Sequence, residues 1–200
     1  MGYLIAALVA PVAGPVLYAF LHGHDRAVRV VDGFVYVAVP ALVAWQVLPF
    51  AWEERSVVAV AVVAAGFLVP AAMERLSHAL EHHTDDLALV VGMSGLALHA
   101  LLEGAALVPG AVLALPFALA VILHRIPVSL VIWWLIRPRH GTLAASAGVG
   151  SIVMATLAGY AVGAEFAADT PRAGVELYQA FVSGSLVHVV FHQGRHDHQH

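Results

Sequence analysis

The chain has 200 residues, 61% of them hydrophobic and only 11% charged, with a mean hydropathy of +0.87 and a formal net charge of −4. A soluble domain of this length needs far more polar surface, so the composition points to an all-α, polytopic membrane helix bundle. The nine basic residues are all arginine and cysteine is absent, so no basic nucleic-acid surface is expected and any metal site must be built without thiolate.

A helix that crosses a bilayer needs roughly 20 apolar residues. Seven such runs follow one another, near 2–21, 33–51, 57–79, 86–108, 111–136, 142–164 and 174–193. The first, MGYLIAALVAPVAGPVLYAF, lacks the basic region that begins a secretory signal and reads as a span. The connections are short, which predicts a single transmembrane domain over 1–193 and a His-rich tail over 194–200. Loops after the first, third, fifth and seventh runs hold Arg26, Arg29, Arg75, Arg137, Arg139 and Arg195, whereas the opposite side holds Arg55 and Arg172. That bias predicts an external N-terminus and a cytoplasmic C-terminus, in a bacterial inner membrane. Trp45, Trp52, Trp133 and Trp134 fall toward run ends, where interfacial anchors sit.

Thirteen histidines are present. His78, His82, His83, Asp85 and Asp86 cluster where the third run ends and the fourth begins, and His188 and His192 lie at the end of the seventh. These are expected at the cytoplasmic face, where they form either a solvated polar loop and tail or a capture zone for divalent metal.

The apolar segment LALHALLEGAAL (96–107) contains His99 and Glu103, and VILHRIPVSLVI (121–132) contains His124 and Arg125. His99 is thirteen residues into the fourth run and His124 thirteen into the fifth, about 20 Å at 1.5 Å per residue, which puts both near the midplane. His99 and Glu103 are one turn apart and share a helix face. A carboxylate at that depth is expensive unless it is paired or coordinates an ion, and imidazole with carboxylate suits zinc and its first-row neighbours. Alternatively Glu103 pairs with Arg125 across the helix interface and His99 hydrogen-bonds a neighbour; the two readings are compatible. Pro127 frees a carbonyl near Leu123, beside His124, and broken helices commonly line transport sites.

These segments resemble the ZIP (zinc- and iron-regulated transporter-like) metal transporters. QVLPF (46–50) resembles the family's HLLPE, LHALLEGAAL (98–107) its fourth-span LHNxxEGxAL, and ILHRIPVSLVI (122–132) its fifth-span LHxIPEGLAV. GFLVPAAMERLSHALEHH (66–83) is similar to a third span entering a His-rich loop, and FVSGSLVHVVFH (181–192) to the seventh-span FAAGTLLYVAL. The resemblance implies a metal carrier whose transport-site ligands fall on His99, Glu103 and His124, with Gln46 at the entry. It also implies a second metal position, but the family's asparagine is Ala100 here, the residue after the fifth-span histidine is Arg125, and the glutamate of IPEG is Val128. The sixth-span acid is missing near Ile152–Met154, and an eighth span is missing too. Arg125 is therefore expected to stand where a second cation would sit.

The expected function is movement of zinc or another divalent transition metal toward the cytoplasm, the ion being substrate and no other cofactor implied. Affinity should fall with pH, because protons compete for the ligands. A homodimer, surrounding membrane lipid and no enzymatic activity are expected. One alternative is a ZIP-like protein that binds or senses metal without moving it. Another is a seven-span intramembrane zinc hydrolase built on His188 and His192, with His78 and Glu74 nearby. A third is a metal-blind bundle that oligomerises through the small residues of 141–163.

Overall fold

The computed structural model describes residues 2–21, 30, 33–34, 36–45, 56–80, 85–108 and 114–196, and among them it is helical apart from residues 107–108 and 170–171, with no strand. Helix α1 is Gly2–Leu21, α2 Tyr36–Trp45, α3 Ser56–Leu80 and α4 Asp85–Ala106. The run Ala114–Asp169 is helical except at Gly141, which divides it into α5 (114–140) and α6 (142–169); α7 is Arg172–His196.

The break expected across 137–141 narrows to one residue. Gly141 has φ 80° and ψ 177°, a left-handed backbone that costs glycine little and other residues much. Pro138 sits inside the last turn of α5 without ending it. At the other end, α7 continues to His196, so residues 194–196 of the expected His-rich tail are helical.

Two runs, Leu89–Ala106 and Leu115–Asp169, are apolar and long enough to cross a membrane. The outward faces are apolar as well. On α1, Ile5, Val9, Val12, Val16 and Phe20 recur at helical spacing and are all more than half exposed, while Ala7 and Ala10 point inward.

Helices α1 and α4 pack on the α5–α6 run, and α3 packs chiefly on α7. Two apolar clusters fill the interior. One joins Ala7, Val39, Val43, Ala106, Phe117, Val121, Val182 and Leu186; the other joins Ala100, Val128, Ile132, Ala145, Val149 and Ile152. On α4, Glu103 lies between Ala106 of the first cluster and Ala100 of the second. On α5, His124 and Arg125 lie between Val121 and Val128. The buried polar groups therefore occupy a thin layer at the join of two apolar bodies.

That layer is held by close backbone approach. A Cβ on Gly159 of α6 would collide with the Leu101 carbonyl, and one on Gly163 with Ala105, so α6 lies directly against the last turns of α4 that carry Glu103.

Candidate metal centre

Helical periodicity delivers the first pair: His99 and Glu103 stack one turn apart, with His99 Nε2 2.9 Å from Glu103 Oε1. Helix α5 supplies the third group, and His124 Nε2 is also 2.9 Å from Glu103 Oε1. The two imidazole rings stand nearly perpendicular, 83° apart with centroids separated by 5.9 Å. His99, Glu103 and His124 are the only three His, Cys, Asp or Glu donors gathered around one point among the described residues.

The proton inventory decides what this point favours. His124 Nδ1 lies 3.0 Å from the Ala120 carbonyl, one turn back on α5, which assigns its neutral-form proton to Nδ1. Ser185 Oγ donates to the Val182 carbonyl at 2.8 Å, so its oxygen is left to accept from His99 Nδ1 at 3.4 Å. In these tautomers both Nε2 atoms carry lone pairs, and both face a carboxylate oxygen. His99 Nε2 and Glu103 Oε1 have no hydrogen-bond partner although both atoms are buried. A proton on either Nε2 makes its 2.9 Å contact a charge-assisted hydrogen bond to Glu103; with both Nε2 atoms deprotonated three acceptors converge, and a cation among them satisfies all three.

The spacing suits a small divalent ion. Zinc binds imidazole nitrogen and carboxylate oxygen at about 2.0–2.2 Å, so two ligands of a tetrahedral ion sit about 3.3 Å apart. The 2.9 Å pairs need to open by only a few tenths of an ångström. Three chain ligands leave a fourth position open, as in sites that exchange what they hold.

The other carboxylate oxygen is committed elsewhere. Arg125 Nη2 and Nε donate to Glu103 Oε2 at 2.9 and 3.3 Å, and Arg125 Nη1 donates to the Ala7 carbonyl at 2.9 Å. Glu103 thus faces the guanidinium with one oxygen, which forms the expected ion pair, and the imidazoles with the other. His99 keeps 13% of its side chain exposed, against 1–2% for Glu103, His124 and Arg125, so the site opens at His99.

Gln46, His82 and His83 lie outside the described residues; His78, Asp85, Asp86 and His192 lie in helices with side chains outside the described part. His188 is half-buried on α7, its ring edge-on to Phe67 of α3 with centroids 5.3 Å apart.

Contacts that the sequence reading missed support the layer from outside. The Tyr178 hydroxyl donates to the Leu102 carbonyl at 2.8 Å and Gln179 Nε2 to the Ala106 carbonyl at 2.7 Å, so consecutive residues of α7 clamp the end of α4. The Ala7 acceptor carried a signal: residue 11 is proline, which has no N–H to close the helical bond to the carbonyl four residues earlier.

Comparison with known protein families, characterised proteins and solved structures returns no match for this chain.

Proposed function

We propose that the protein is a membrane-embedded, ZIP-like carrier that moves a divalent first-row metal ion, zinc foremost, through a single site formed by His99, Glu103 and His124. The observation that carries this reading is the convergence of two imidazole Nε2 atoms and one carboxylate oxygen on a single buried point.

Membrane insertion is supported by two long apolar runs and by an apolar outward face, an arrangement that water penalises and lipid accepts. In that setting seven helices form the bundle, with the N-terminus outside by the arginine bias. One ion rather than two is favoured because Val128 and Ile152 are apolar and Arg125 brings a fixed positive charge. The open fourth position and the exposure at His99 favour exchange over permanent retention. The ion would enter past Gln46 and leave toward the cytoplasmic histidines.

The test is zinc uptake into proteoliposomes by the native chain, by His99→Ala and by Glu103→Ala. The native chain should load the vesicles and both variants should not, and acidifying the outer buffer should slow loading as protons take the Nε2 positions. Native vesicles that stay empty while the purified chain still binds zinc would reduce the reading to a metal-binding protein that does not transport.

A further inference from the structure

Arg125 is fixed on every side. Its Nε and Nη2 hold Glu103 Oε2, and its Nη1 holds the Ala7 carbonyl that Pro11 leaves without a helical partner. The remaining side borders a void of about 10 Å³ walled by Val128, Ile132, Val149 and Ile152, at the lower limit for a single water and without an acid that could take the guanidinium. Among the described residues Arg125 therefore has no second acid beside it, and its side chain is buried.

Two consequences follow for an arriving ion. The carboxylate and the guanidinium cancel, so the receptor has no net charge before the ion enters. Glu103 also cannot chelate through both oxygens, because the second accepts two N–H groups already. The ion is left with two nitrogens and one oxygen.

Hard cations depend on negative charge and on several oxygen ligands: calcium takes six to eight, and magnesium keeps a near-octahedral oxygen shell. Zinc, nickel, cobalt and copper gain from imidazole nitrogen, a bond that survives in a neutral site. We infer that Arg125 is the specificity-determining residue of the site: by neutralising Glu103 and limiting it to one oxygen, it excludes manganese, magnesium and calcium and leaves the site to imidazole-seeking ions. The inference rests on the metal site proposed above.

Any pair of imidazoles prefers zinc to manganese, so the diagnostic quantity is how that preference changes when the guanidinium is altered. Dissociation constants for zinc and manganese are measured by chelator competition on the full chain in detergent, for the native protein, Arg125→Gln and Pro11→Ala, with thermal melting to establish folding. Arg125→Gln should lower the zinc-over-manganese ratio about tenfold, chiefly by strengthening manganese binding, as expected when a group bonded to a ligand is changed. Pro11→Ala should move the ratio the same way by a smaller factor, because the restored N–H competes with Arg125 for the Ala7 carbonyl. A ratio that stays within about twofold of native in the folded variants overturns the inference and leaves Arg125 as an ion-pair partner only. Should Arg125→Gln fail to fold, Pro11→Ala decides. A native chain that binds no zinc removes the metal site and this inference together; native zinc binding with an unmoved ratio removes the inference alone.

Discussion

The α3–α7 seam and the α4–α5 centre hold the same bundle together by opposite means. At the seam the contact is backbone on backbone. A Cβ on Gly66 would run into the Phe181 carbonyl, and one on Gly184 into the Val63 carbonyl, so each helix offers a glycine to the other. The His188 ring of α7 rests edge-on against Phe67 of α3. At the centre, three buried ionisable side chains and the part-buried His99 are tied by hydrogen bonds reaching from α4 and α5 to α1 and α7. The seam gains stability from dispersion and close fit, where shape alone matters. The centre gains little net stability from its charges, because desolvation offsets most of their attraction. A chain selected for stability alone would fill that layer with the aliphatic residues that flank it.

Glu103→Ala should separate the two regions most sharply. It strands Arg125 as a buried charge, which costs about 3–5 kcal/mol, and removes the only oxygen ligand of the site. Thermal melting should show the loss of stability, and equilibrium dialysis should show no zinc retained. Retention within about tenfold of native would mean that the ion, if any, binds elsewhere.

Gly66→Leu is the complementary change. A side chain forced against the Phe181 backbone cannot be relieved by a rotamer shift, and overpacking of this kind costs about 1–3 kcal/mol or more. The seam should loosen while the zinc dissociation constant of the folded fraction stays within about twofold of native, because none of the site's contacts among the described residues involves α3. A matching loss of affinity would show that the seam sets the geometry of the centre, and the two regions would then be one mechanical unit.

The two regions also differed in how far the sequence disclosed them. His99 and Glu103 were legible because a one-turn spacing in an apolar run has a single geometric meaning, and His124 followed from counting depth along two opposed helices. Pairing of Glu103 with Arg125 was legible from charge and depth. The Ala7 carbonyl was not read, although Pro11 marks it, because which helix docks against α5 is a tertiary fact and the two residues are 118 positions apart. The seam was invisible for a related reason. Glycines such as Gly66 and Gly184 report close approach only once a partner is known, and many pairings of seven apolar helices would have used them equally well. Helix ends were blurred where local signals overstated a break: Pro138, Arg139 and His140 read as a loop, yet the chain turns on Gly141 alone.

The smallest expected effect, and the most discriminating for how the centre is organised, belongs to Ser185→Ala. Ser185 touches no ion in the proposed site. It fixes the tautomer of His99 by accepting at Nδ1, and its own proton is committed to the Val182 carbonyl. Removing the hydroxyl takes away about 1 kcal/mol of hydrogen bonding and lets the His99 proton move to Nε2, where it blocks metal. Zinc affinity should fall by about tenfold, at the low end for loss of a group that orients a ligand, with melting temperature little changed. Ser185→Thr, which keeps the hydroxyl, should restore most of the affinity. If Ser185→Ala binds zinc as the native chain does, the 3.4 Å contact does not hold the tautomer, and His99 finds its orientation from Glu103 alone. In that case α7 would contribute to the centre only through Tyr178 and Gln179 at the end of α4, and the division between seam and centre would be cleaner still.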